Sequence, residues 1–134
     1  MDASAAIAEL TDISPQVRRV VAVAADGSLL GANVADDVAH ALADGGLRLA
    51  ETADAVRAER QLPPVAQLEA ATRTGSVFVV RDGGRTIVAT TTPEPTVGLV
   101  FYDLKTCLRA IDDPEPEPKR PRRRTAAKKA DDAA

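Results

Sequence analysis

The run Val77-Phe78-Val79-Val80 is apolar at four successive positions, and Val20-Val21-Ala22-Val23-Ala24 repeats that pattern nearer the N-terminus. Successive strand residues point to opposite faces, so a sheet wetted on one side would alternate apolar with polar residues. Neither run alternates. A sheet built on them has to be covered on both faces, and the rest of the chain has to supply the covers.

Each run is followed by turn chemistry and a second β-rich segment. Asp82-Gly83-Gly84 separates a strand at 76–81 from one at 86–92, and Asp26-Gly27 separates 17–25 from the short Leu29-Leu30-Gly31-Ala32. Glycine accepts the positive φ of a tight hairpin turn, so both pairs read as antiparallel hairpins. Between them, residues 35–60 contain no proline and place Val38, Leu42, Leu49, Ala53 and Val56 at three-, four- or seven-residue intervals. That spacing predicts one long helix whose apolar stripe is expected to face the sheet. Asp36 and Asp37 in its first turn and Arg57 and Arg60 in its last complement the helix dipole. Pro63-Pro64 ends the helix, and 65–74 reads as an extended edge segment. Helical spacing also appears at 3–10, through Ile7 and Leu10, and at 97–111, through Val97, Phe101, Leu104, Leu108 and Ile111. The predicted architecture is a three-layer α/β/α sandwich. A five-stranded, mainly antiparallel sheet carries the long helix on one face and the N- and C-terminal helices on the other.

Residues 112–134 depart from this pattern. They hold four of the chain's nine prolines, seven Lys or Arg and six Asp or Glu, with no Val, Ile, Leu or aromatic residue. Such a segment buries too little apolar surface to offset the entropy of ordering it, and it reads as a disordered tail behind a 1–111 domain. Its basic cluster, Lys119, Arg120, Arg122, Arg123 and Arg124, is the place where a nucleic acid or other polyanion would bind. The 1–111 body carries 10 basic against 14 acidic residues and offers polyanions no general attraction.

Several classes of chemistry are excluded by what the chain lacks. Three aromatics, Phe78, Phe101 and Tyr102, are too few for a base- or sugar-stacking platform. One His (His40) and one Cys (Cys107) rule out a disulfide framework or a Cys/His zinc site within one chain. No glycine loop precedes Lys105-Thr106, so this is no phosphate-binding loop. His40 and Cys107 sit on helices assigned to opposite sides of the sheet, which separates the one pair that resembles a nucleophile and its base. No catalytic, cofactor-binding or metal-binding residue is expected. No stretch reaches the roughly 18 uncharged apolar residues of a bilayer span. The start, Met1-Asp2-Ala3-Ser4, has no basic signal segment, so a cytoplasmic protein is expected. Gly45-Gly46 is the one oddity of the long helix. Two glycines there cost about 1 kcal/mol each relative to Ala, which points to a kink or to close approach of another backbone.

The order of these elements, with 20–30 (Val-Val-Ala-Val-Ala-Ala-Asp-Gly-Ser-Leu-Leu), 75–84 (Gly-Ser-Val-Phe-Val-Val-Arg-Asp-Gly-Gly) and 97–104 (Val-Gly-Leu-Val-Phe-Tyr-Asp-Leu), resembles the Roadblock/dynein light chain superfamily. That superfamily includes bacterial regulators of small Ras-like GTPases. The resemblance implies a homodimer in which the strand after the long helix pairs with its copy while the two long helices lie side by side. It also implies a scaffolding or regulatory role toward a small GTPase or a sensor kinase module, in some members as a GTPase-activating protein.

On that basis the interface is assigned to Val65, Ala66, Gln67, Leu68 and Glu69 on the edge strand, with Gly46 and Ala50 at the helix seam. The edge assignment has its own physical ground, because an apolar, nearly uncharged edge strand invites pairing. Leu47, Arg48 and Glu51 are expected to face a partner, with Arg81 or Arg85 as an arginine that could be supplied in trans to a GTPase.

Overall fold

The structure is a computed structural model that describes residues 1–112. In chain order it comprises α1 (Ala3–Ile13), β1 (Val17–Val23), β2 (Leu29–Ala32), α2 (Asp36–Ala58), β3 (Gln67–Thr72), β4 (Gly75–Asp82), β5 (Arg85–Thr91) and α3 (Val97–Ala110). The strands form one sheet in the order β2-β1-β5-β4-β3, antiparallel throughout. The two hairpin turns carry the expected glycines, Gly27 at φ 91° and Gly83 and Gly84 at 63° and 85°. At the first of them the Asp26 carboxylate accepts from both the amide and the hydroxyl of Ser28, at 3.0 and 2.6 Å.

Both faces of the sheet are covered. On one side α1 and α3 enclose Ile7, Leu10, Val20, Phe78, Ile87, Leu104 and Leu108. On the other, α2 covers Val21, Val23, Val79 and Val88. The unbroken apolar runs follow directly, since Phe78 and Val80 belong to the first core and Val79 between them to the second. Phe78 also meets Phe101 edge to face, with ring centroids 4.9 Å apart.

The face that α2 presents to the sheet differs from the sequence expectation. The residues it buries are the small ones, Ala39, Ala43, Gly46 and Ala50, while Leu49 is 38% exposed and Val56 60% exposed. Gly46 explains the preference. A Cβ at Gly46 would lie 2.5 and 2.7 Å from the two methyl carbons of Val88 on β5, so the helix axis comes closer to the sheet than any side chain at 46 would permit. Gly45 has nothing within 4 Å of its own Cβ position. The approaching group is thus a valine side chain rather than a backbone, and only one of the two glycines is constrained by it.

Candidate interaction surfaces

Rotating α2 so that its small residues meet the sheet leaves its larger apolar residues on a flank. Val38, Leu42, Gly45, Leu49, Thr52 and Val56 follow one another at intervals of four, three, four, three and four residues, the spacing by which one helix packs along another. Leu42 is partly buried at the rim of the α2 core, and Leu49 and Val56 are exposed. Gly45 opens a notch in the middle of the row.

Three of the assigned helix residues therefore change place or surroundings. Gly46 and Ala50 do not lie at an outward seam, because both are buried beneath their own helix against the sheet. Leu47 is not a free outward side chain either, since it packs at the edge of the α2 core. Arg48 and Glu51 are exposed, while Gly45, unassigned from sequence, stands in the apolar row.

β3 forms one edge of the sheet, bonded only to β4. Its inner and outer backbone groups can be told apart. The Arg81 N–H donates to Ala66 O at 2.8 Å, and hydrogen-bonding direction alternates along an antiparallel strand. Ala66, Leu68 and Ala70 therefore turn their amides toward β4, and Gln67, Glu69 and Ala71 turn theirs outward. Of the assigned edge residues, Val65 and Ala66 precede the strand proper and Gln67, Leu68 and Glu69 lie within it. The Val65 N–H is taken by Asp54 Oδ1 at 2.9 Å, and Ser76 Oγ donates to Glu69 Oε2 at 2.8 Å.

The two arginines considered for a role in trans are both engaged within the chain. Arg81 pairs with Asp54 at 2.8 Å and donates to Val65 O, fastening the C-terminal part of α2 to the start of β3. The hydrogen bond from Arg81 to Asp54, then the one from the Val65 amide, holds the Asp54 carboxyl below its ordinary range. Arg85 donates to Ile111 O and Leu108 O at the end of α3. Arg109 bonds Asp82 at 2.6 Å and lowers that carboxyl in the same way. Cys107 is buried between α1 and α3, and desolvation, then Glu9, pushes its thiol up to about 11. His40 is exposed on α2, its Nδ1 2.8 Å from Asp36 O, on the other side of the sheet from Cys107. Among the described residues no group of His, Cys, Asp or Glu is arranged to hold a metal ion, and no helix is long and apolar enough to cross a membrane.

No family model matches the chain, and no curated protein does. Solved structures do. The Roadblock/LC7 domain from Streptomyces avermitilis superposes with a TM-score of 0.72 over 82% of this chain and 94% of that one, at 16% identity. The chain has the Roadblock/LC7 fold. Myxococcus xanthus MglB, at 14% identity, gives a TM-score of 0.67 over 80% of this chain and 82% of that one. The gliding protein MglB from Thermus thermophilus, at 15% identity, gives 0.63 over 81% and 84%. Within this Roadblock/LC7 fold, the last described residue is Asp112, whose carboxylate meets the Met1 ammonium at 2.8 Å. The basic residues Lys119, Arg120, Arg122, Arg123 and Arg124 lie outside the described residues.

Proposed function

We propose that the chain is a non-enzymatic homodimeric scaffold that regulates a small Ras-like GTPase or an associated signalling module. The observation that carries this reading is the flank of α2, where an apolar row at helix-packing spacing is left exposed although the helix's own core contacts are complete. A row of that kind is self-complementary across a two-fold axis, and an open β3 edge supplies a second self-complementary surface through antiparallel strand addition. The proposed interface comprises Leu42, Gly45, Leu49 and Val56 on α2 and the outward groups of Gln67, Glu69 and Ala71 on β3. Arg48 and Glu51, exposed on the same helix, are the proposed partner contacts. Fold likeness to MglB and the resemblance of the sequence runs to GTPase regulators support the choice of a GTPase over other partners.

The test has two stages. Light scattering of the full chain at micromolar concentration is expected to give a dimer, and Leu49→Asp with Val56→Asp a folded monomer. Pull-down with the small GTPases of the same genome, in both nucleotide states, is then expected to recover one of them, less so for Arg48→Ala with Glu51→Ala. A monomer for the unmutated chain ends the dimer reading, and recovery of no GTPase ends the regulatory one.

A further inference from the structure

Beyond the proposed dimer, and requiring neither it nor a GTPase, β1 builds a second surface at the end of the sheet where it begins. Val17 pairs with Thr91 and Val20 with Ala89, so Arg18 and Arg19 together stand opposite the single residue Thr90. This is a β-bulge, a device that re-aims side chains. In a regular strand two neighbours point to opposite faces, whereas across this bulge Arg18 and Arg19 both line one groove of about 500 Å³.

The bulge is held rather than loose. Asn33, just past β2, accepts from the Val20 N–H through Oδ1 and donates from Nδ2 to Arg18 O, each at 2.8 Å, and its own N–H donates to Val20 O at 3.2 Å. From the other side the Arg19 N–H donates to Thr90 Oγ1 at 3.3 Å. The polar groups of the bulged segment are thus fixed by partners on both neighbouring strands before any ligand arrives.

The charge in the groove is one-sided. No Asp or Glu lines it, the carboxylate next to it, Glu69, being held by Ser76 Oγ at 2.8 Å; besides the two arginines its polar lining is Thr72, Thr74, Ser76, Thr90, Thr91 and Thr92. Among the described residues neither Arg18 nor Arg19 has an ion-pair partner, in a body whose acidic residues outnumber its basic ones. Two adjacent guanidiniums on a fixed backbone recognise carboxylates through charge-assisted hydrogen bonds. The groove crosses β1, β5, β4 and β3, roughly 15 Å at the usual strand spacing, which an extended segment of four or five residues spans.

We propose that this groove binds a short, extended acidic segment of a partner protein, with carboxylates on Arg18 and Arg19 and its remainder along the threonine hydroxyls. A long polyanion is disfavoured by the body's net negative field, and the lining holds no aromatic ring on which a base could stack.

Fluorescence anisotropy of a labelled Gly-Glu-Asp-Glu-Asp-Gly peptide titrated with the full-length chain at about 50 mM salt tests the proposal. The expected result is saturable binding that the amide peptide Gly-Gln-Asn-Gln-Asn-Gly does not show. Replacing Arg18 and Arg19 by Ala should weaken it by about tenfold or more. Asn33→Ala, which keeps both arginines but releases the bulge, should weaken it severalfold. Arg60→Ala with Lys105→Ala should leave it unchanged, and thermal melting of each variant separates loss of the site from loss of the fold. Absence of saturable binding overturns the proposal, including the case in which a second copy closes the groove. It is equally overturned by a loss as large in the Arg60/Lys105 variant, or if replacing Arg18 and Arg19 weakens binding of a single-stranded oligonucleotide more than binding of the acidic peptide.

Discussion

The neighbouring glycines of α2 should respond in opposite directions to the same substitution. Gly→Ala in a helix interior stabilises by about 1 kcal/mol through backbone propensity, and this gain is common to positions 45 and 46. At Gly46 the new methyl lands 2.5 Å from one Val88 methyl carbon and 3.1 Å from its Cβ, well inside an ordinary contact. Val88 is fully buried and β-branched, so it has no free rotamer to retreat into. Overpacking of this kind costs about 1–3 kcal/mol. The propensity term cancels between the two variants, leaving that cost as their difference once both are made in the Leu49→Asp/Val56→Asp background, where Gly45 meets no second copy. For a domain of this size, at about 4–8 °C per kcal/mol, Gly45→Ala should melt roughly 10 °C above Gly46→Ala. Thermal unfolding followed by circular dichroism must be run at one fixed protein concentration, because self-association would shift both curves. A double-mutant cycle sharpens the result, since a Val88→Ala background removes the two methyl contacts and leaves only the 3.1 Å approach to the Cβ of residue 88, so Gly46→Ala should cost clearly less there than in the unmodified chain. If Gly46→Ala raised the melting temperature as much as Gly45→Ala in the Leu49→Asp/Val56→Asp background, the close approach of α2 to β5 could not be what the glycine serves.

Other expectations follow from single contacts. Asp54 is held below its ordinary carboxyl range by Arg81, so the contact stabilises the fold above the unfolded value near 4 and is lost as pH falls through the lower folded value; the stability gap between the unmutated chain and Asp54→Asn should be widest near pH 6 and close below about pH 4. Cys107, buried and with its thiol pushed up to about 11, should resist a thiol reagent at pH 8 in the native protein and react fully in denaturant. On β3, Gln67→Pro with Ala71→Pro removes two outward N–H groups and should convert a dimer to a folded monomer in light scattering. Leu68→Pro removes an inward one and should lower the melting temperature as well.

The element order was legible because it rests on local signals. Asp26-Gly27 and Asp82-Gly83-Gly84 mark tight turns wherever they fall between β-branched runs, and unbroken Val-rich strands require cover on both faces. The rotation of α2 was not legible, for a reason in how amphipathicity is read. Periodicity finds the most apolar stripe, and on this helix that stripe is Val38, Leu42, Leu49 and Val56. A sheet crowded with valines selects instead for the stripe that allows the closest approach, so Ala39, Ala43, Gly46 and Ala50 go inward although they are less hydrophobic. The stripe of larger residues is then surplus to the protomer. The proposed dimer would use that outward stripe, the inward one being taken by the helix's own sheet. The Arg18-Arg19 bulge was invisible for a different reason. Its existence depends on the register of β1 against β5 and on Asn33 reaching back to Val20 and Arg18, relations that no periodicity along one segment contains. Local chemistry fixes which elements form and in what order. Which side chains they leave over for a partner is decided by distances between elements, and on this chain the outward residues are the ones the core had no room for.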